Sequence, residues 1–463
     1  MYPSKDKYQN MWLNVVLIPL LLSSIEGKTA ASRKKVCIIG AGVSGLATVK
    51  RFSEHTDEFK PIVFEKQSDV GGLWSYTEST TVDEHGLPVH SSVYKNLRTN
   101  IPKELMAWPD YRNFTGDDRS SVPHHMVLEY LRNYTAHFNL RQFIEFDTLV
   151  EHVRPLNVQT EDWQQTRWLV KTRNLKTQKR KHTVCNGIAI ANGHYTKGNV
   201  PEIPGIENFR GPIIHSHVYR HPEDFAGKTV TILGAWISGV DIALDISPYV
   251  KKIYLSSRHE KRNSKLPSNI EQVPNVIEAN GNELIMSNGS TITSDAFIFC
   301  TGYLPEFPFL DENCGIRVEA NHVIPLYKQM INAEHPSMAV IGLPTADSIF
   351  LMPYVQSQFF VALLQGRVKL PTHHEMIKDA YTLPPGAPED KWHAVNAYQW
   401  TYNEELAKAT GNIQLPPSYY KDGIHLYEAY RDTHLATFRE VRFVLNPNGT
   451  FHLENLVEDY ETE

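Results

Sequence analysis

An α/β architecture of two strand–turn–helix units, the second inserted into the first, is predicted by three observations. The chain carries two glycine-rich turns, GAGVSG from Gly40 to Gly45 and GAWISG from Gly234 to Gly239. Each turn follows a short apolar run and opens a helix-like stretch, the setting in which such a turn cradles the pyrophosphate of a dinucleotide. An apolar strand, MAVIGL, and a helix, YVQSQFFVALLQGR, come only after the second unit and complete the first. The expected fold class is therefore α/β, with two dinucleotide-binding, Rossmann-like domains, one interrupting the other.

The elements follow in order. KKVCIIGAGVSGLATVKRF reads as buried strand, tight turn and helix. Gly40 permits the turn, Gly42 lets the backbone approach a pyrophosphate, and Gly45 lets helix and strand pack closely. Val43 and Ser44 open the helix, where unpaired N–H groups and the positive dipole end face the phosphates. Ser44, like Ser238 in the second turn, is read as a small residue that the turn needs, not as a nucleophile. The next strand, PIVFEK, ends in Glu65, 25 residues beyond Gly40, where a carboxylate accepts hydrogen bonds from both ribose hydroxyls. GGLW follows (Gly71 to Trp74), and residues 91–112 show no clean period before a helix-like end. WLVKTR and VCNGIAIANGHY read as strands, and Pro201, Pro204 and Gly205 make a turn-rich linker.

The second unit, KTVTILGAWISGVDIALDI, repeats strand, turn and helix, with Gly234, Ser238 and Gly239 as its binding positions. Its next strand, KIYLSSR, ends in Arg258, 24 residues beyond Gly234. A carboxylate at this place suits a free ribose 2′-hydroxyl, whereas an arginine suits a 2′-phosphate, so the second dinucleotide is expected to be NADPH. Trp236 stands where the second glycine belongs, and its bulk predicts an altered pyrophosphate pose. DAFIFCTGYLPEFPFL then closes the unit and carries Thr301 and Gly302.

Bulk properties exclude several classes. Lys plus Arg number 46 against 52 Asp plus Glu, a net charge of −6, and no basic run or stripe appears, which argues against nucleic acid as a partner. The four cysteines, Cys37, Cys185, Cys300 and Cys314, are too few and too scattered for a disulfide framework or a metal site. Cys37 and Cys300 lie in apolar runs and are read as small buried hydrophobes. No C-x-x-C occurs, which disfavours a disulfide reductase on the same plan. His215 and His217 lack the partner cluster that a metal pair needs, so no metal is expected. The apolar run Trp12–Leu22, eleven residues after a lysine-containing start, has the shape of a secretory signal peptide and is short of the roughly 20 residues of a membrane span. Residues 1–27 are therefore expected to be removed and the protein secreted, with no membrane anchor. Four sequons, at Asn113, Asn133, Asn288 and Asn448, are compatible with that route.

Between the two turns, FRGPIIHSHVY fits the pattern F-x-G-x-x-x-H-x-x-x-Y through Phe209, Gly211, His215 and Tyr219. This stretch, with a glycine turn on either side, resembles the flavin-containing monooxygenases, and Tyr219 with Arg220 departs from the related Baeyer–Villiger type. The resemblance runs from Val36 to about Arg367. It implies FAD in the first unit and NADPH in the second, with domains at 33–211, 212–332 (the NADPH insertion) and 333–463. It also implies that Gly72, Leu73, Trp74 and Thr99 contact the flavin cofactor, that Thr301 and Gly302 lie at the hinge between domains, and that Asn100 sits by the flavin ring as the catalytic amide. The implied chemistry is hydride transfer from NADPH to flavin, oxygen addition to give a hydroperoxide, and oxygen transfer to a soft nucleophile. Combined with the signal segment, the resemblance points to the secreted insect members that N-oxygenate pyrrolizidine alkaloids such as senecionine. The alternatives are a broad N- or S-oxygenase of foreign compounds and a flavoprotein that turns NADPH into peroxide. Oligomeric state has no signature in the sequence.

Overall fold

Val36, Cys37 and Ile38 are fully buried in strand β1 (Lys34–Ile39), because parallel neighbours flank it on both sides and layers cover both faces. A computed structural model of the protein describes residues 33–456, apart from 115, 117, 158–161, 260, 412 and 447. The expected signal peptide at 1–27 lies outside the described residues. From β1 the chain enters helix α1 (Val43–Ser53) and then β2 (Phe59–Phe64). Helix α2 (His124–His137) precedes β3 (Ile144–Glu145). Strands β4 (Thr148–Pro155), β5 (Trp168–Asn174) and β6 (Arg180–Cys185) form a separate antiparallel sheet, and β7 (Gly187–Ile190) returns beside β1.

The chain then leaves through a short strand, β8 (Lys197–Gly198), for a second sheet. That sheet is built from β9 (Ile213–His215), β10 (Thr229–Leu233), β11 (Lys252–Ser257), β12 (Ile270–Pro274) and β13 (Ala296–Phe299), with helix α3 (Ile237–Ile246) after β10. Its five strands run parallel in the order β12-β11-β10-β13-β9. The chain comes back through β14 (Tyr303–Leu304), which pairs antiparallel with β8. Exit and return are thus one two-stranded neck. Strands β15 (Leu326–Tyr327), β16 (Ile331–Asn332) and β17 (Met338–Val340) complete the first sheet in the order β15-β16-β17-β7-β1-β2-β3. The chain has therefore rejoined the first sheet by Leu326, ahead of residue 333.

Helices α1 and α4 (Leu351–Leu364) pack on one face of the first sheet, and the β4–β6 sheet covers the other. The lower layer corrects the reading of Cys37. Cys37 is buried, but it is disulfide-bonded to Cys185, 148 residues away, with the two Cα atoms 5.9 Å apart. The cause is register: β6 runs into β7, whose Ile188 pairs with Cys37, so the end of β6 arrives beside β1. Helices α5 (Gln399–Thr410) and α6 (Tyr419–Thr433) and the hairpin of β18 (Val441–Leu445) and β19 (Phe451–Asn455) form a further cluster around Tyr420, Tyr427 and Phe443. No described helix is long and apolar enough to cross a membrane.

Candidate functional site

The first glycine turn is shaped by the backbone that crosses it. Gly40 has φ +103°, and a Cβ there would lie 2.5 Å from the carbonyl oxygen of Ala191 at the end of β7. A Cβ on Gly45 would lie 1.8 Å from the oxygen of Gly40. Gly42 faces Gly72, since a Cβ on Gly72 would stand 3.0 Å from the Gly42 Cα, so GGLW folds directly against the turn. Val43 and Ser44 open α1, while Gly72, Leu73 and Trp74 form a single 3₁₀ turn with Trp74 buried against Phe350. A Cβ on Gly342, in the β17–α4 connection, would meet the Ser44 hydroxyl at 2.1 Å, so this loop closes over the turn.

Glu65 lies at the same place. Its Oε2 accepts from the Ala41 N–H (2.6 Å) and its Oε1 from the Gln67 N–H (2.8 Å). Burial raises its carboxyl above the usual range, against the pull of these two hydrogen bonds. A buried carboxylate hydrogen-bonded to the turn itself is the group that suits a ribose beside the pyrophosphate.

The second turn repeats the first. Gly234 has φ +107° and would place a Cβ 2.3 Å from the Cys300 oxygen, and a Cβ on Gly239 would lie 1.7 Å from the Gly234 oxygen. Trp236, with φ −87° and ψ −165°, has nearly the backbone of Gly42, at −77° and −165°. The tryptophan therefore leaves the path of the turn unaltered. Its indole swings outward, 67% exposed, under the guanidinium of Arg262. Ser238 is exposed on the first turn of α3. Arg258 follows β11 directly and is also exposed, with Asp390 at 3.9 Å.

Asn100 faces the second turn. It shares a pocket with Trp236, Ile237 and Asp241 from the start of α3 and with Leu435 and Phe438 from the C-terminal segment. Thr99 is buried and pairs with Val122 through both backbone and hydroxyl, and its carbonyl accepts from Arg439 Nε (3.1 Å). Arg439 also donates to Asp241 of α3 (2.6 Å), where the facing carboxylate holds its charge despite burial. Arg98 donates to the carbonyls of Ser121 and Arg439 and pairs with Glu440. The backbone that leads into Asn100 is thus tied to residues 439–440, and Arg439 ties it in turn to α3 of the second unit. The sequence reading assigns nothing to Arg439, because no local motif marks it and its role depends on a contact across the fold.

Thr301 and Gly302 lie in the neck. The Thr301 hydroxyl bonds the Asn199 carbonyl, and the Asn199 N–H donates to Gly302 O (2.8 Å). His215 ties into the same place. Its Nδ1 accepts from the His217 N–H (3.1 Å), which leaves Nε2 as the donor to Gly302 O (3.0 Å), and burial lowers the ring to about 4. Arg220 is 3% exposed and donates to five carbonyls, those of Thr77, Ser79, Ser91, His217 and Tyr219. Tyr219 donates to Asp245 of α3 (2.5 Å). The stretch FRGPIIHSHVY is accordingly a joint that fixes the second unit against the first.

The family described as FMO-like, flavin-binding monooxygenase-like, matches residues 33–263 and 260–411. The flavin-containing monooxygenase FMO GS-OX3 of Arabidopsis thaliana is 33% identical over 401 residues, covering 82% of this chain and 85% of its own. Among solved structures, the S-allyl-L-cysteine S-oxygenase from Allium sativum superposes with a TM-score of 0.77 at 29% identity, covering 88% of this chain and 95% of that one. Tmm from Pelagibacter sp. strain HTCC7211 gives 0.78 at 26% identity, covering 90% and 95%.

Proposed function

The chain belongs to the flavin-binding monooxygenase family, and on that premise we propose that it oxygenates the nitrogen of tertiary amines, with plant pyrrolizidine alkaloids such as senecionine as substrates. Its cofactors are FAD and NADPH. The observation that carries the oxygenase reading is the pocket itself, where Asn100, held beside the first unit, meets the helix start of the second; the choice of nitrogen and of alkaloids rests on the secretory route proposed below. Placed there, the Asn100 amide would face both dinucleotides once they are bound. When bound, the reduced flavin supplies the activated oxygen. The chain's residues hold the first dinucleotide by Gly40, Gly42, Gly45 and Glu65, orient the second by Gly234, Ser238 and Gly239, and place the Asn100 amide as a donor. Oxygen transfer to a lone pair asks no proton of a protein side chain.

Sulfur is the second reading, favoured by the likeness to the Allium S-oxygenase. Both fit the same chemistry, since each substrate offers a soft lone pair. NADPH consumption by the FAD-loaded protein is measured with senecionine, with S-allyl-L-cysteine and with neither, while amine oxide, sulfoxide and hydrogen peroxide are counted. Amine oxide equal to the NADPH consumed supports the alkaloid reading. Sulfoxide in that proportion, with senecionine inert, replaces it, and peroxide alone with both substrates sinks the oxygenase reading.

A secretory route is part of the proposal. It is supported by the run Trp12–Leu22, by a disulfide that an oxidising compartment maintains, and by the exposure of all four sequon asparagines. Expression in insect cells tests it: protein in the medium beginning near residue 28 supports secretion, and intracellular protein that keeps Met1 defeats it.

A further inference from the structure

Arg262 lies in the loop after β11, and its backbone is fixed there from both sides by Gln272 of β12. Gln272 Oε1 accepts from the Arg262 N–H (2.7 Å), and its Nε2 donates to the Arg262 carbonyl (3.0 Å). The side chain turns back onto the second glycine turn. Its Nε donates to the carbonyl of Ala235 (3.1 Å), and its guanidinium carbon lies 5.1 Å from the centre of the Trp236 ring. The nearest carboxylate, Asp432, stands 3.8 Å away and is 55% exposed, so it balances the charge only loosely. Arg262 lines the Asn100 pocket at the start of α3.

A dinucleotide pyrophosphate brings two negative charges to this helix start. At the first turn it meets bare backbone, because Gly42 has no side chain. At the second turn Trp236 carries a Cβ where Gly42 has none, with its indole turned outward, so the phosphates would sit farther out. The guanidinium rests on that same indole, its Nε engaged by the Ala235 carbonyl, and its terminal N–H groups would be the donors for a phosphate displaced to this side. A tryptophan in place of the glycine therefore does two things: it removes the backbone approach and provides a shelf for a cation.

We propose that Arg262, stacked on Trp236, is the pyrophosphate-binding residue of the NADPH site and substitutes for the backbone approach lost at position 236. Arg258, on the exposed loop after β11, is left to the 2′-phosphate. The two roles separate cleanly, since NADP⁺ and NAD⁺ share the pyrophosphate and differ only in the 2′-phosphate.

The test is equilibrium titration of the FAD-loaded protein with NADP⁺ and with NAD⁺, followed by flavin fluorescence and without turnover. R262Q is expected to raise the Kd of both dinucleotides by the same factor, about tenfold for one charge-assisted contact, and R262K to recover part of the loss. R258Q is expected to weaken NADP⁺ alone. W236L, which removes the stacking surface and leaves the arginine in place, is expected to weaken both by a smaller factor, and it serves if R262Q fails to retain FAD. Either of two results overturns the assignment: R262Q and W236L both leaving the two constants within about twofold of the parent, or R262Q weakening NADP⁺ only.

Discussion

Asn100 owes its place to an arginine 340 residues beyond its neighbour Thr99. Besides lying over the Phe438 ring, Arg439 makes two polar side-chain contacts of different kinds, a directional Nε donor to the Thr99 carbonyl and an ion pair with Asp241. A lysine retains the second and loses the first. Arg439→Ala is expected to lower the melting temperature, since breaking a buried pair costs about 3–5 kcal/mol, and to divert NADPH from product to peroxide. Arg439→Lys is expected to restore the melting temperature while the peroxide share stays high. A peroxide share that simply follows the melting temperature in both variants would reduce Arg439 to a structural residue. Asn100→Ala, measured alongside, is expected to lose product formation by about a hundredfold with FAD still bound.

The two strand–turn–helix elements separate what a glycine does from what its position needs. Gly45→Ala forces a Cβ to 1.8 Å of the Gly40 oxygen, so the protein is expected to purify without its flavin absorbance. Trp236→Gly changes a residue already in extended backbone at a helix N-cap, and the melting temperature is expected to hold within a few degrees. These elements were legible in the sequence because Gly45 and Gly239 are demanded by contacts inside one strand–turn–helix unit and Gly40 and Gly234 by the positive φ of the turn itself. Glu65, one strand further on, was legible for the same reason. Arg262, Arg439 and the Cys37–Cys185 pair were not. Their roles depend on loop direction, on a C-terminal segment without a motif, and on the register between β1 and β7. Trp236 was legible as bulk beside the phosphates, but the arginine that covers its indole was not, because that contact depends on the direction of the loop after β11.

Across the whole molecule, four half-buried histidines share one behaviour. Burial lowers His90 and His393 to about 3 and His194 and His215 to about 4, from an ordinary value of 6.5. His393 Nε2 accepts from the Val323 N–H, and His215 Nδ1 from that of His217, so a proton on either atom breaks a bond. Below pH 6.5 the unfolded chain takes up protons that the folded chain refuses, so stability falls as pH drops from about 6.5 to about 4. Melting temperatures of the FAD-loaded protein across that range check this, and a flat profile refutes it. The disulfide gives a second whole-chain prediction. Alkylation in denaturant is expected to count two thiols, Cys300 and Cys314, without reductant and four with it. Reduction is expected to lower the melting temperature, with loop entropy setting an upper bound of about 5 kcal/mol. The paired neck of β8 and β14 bears on the order of synthesis. Strand β7 emerges from the ribosome with one edge paired to β1, and its other partner, β17, begins only at Met338. At about 5–20 residues per second that edge waits roughly 7–30 s, while the whole second unit is made. An unpaired parallel edge is an invitation to aggregation. The neck shortens the hazard, because once β14 zips onto β8 the returning chain is delivered to the sheet it left.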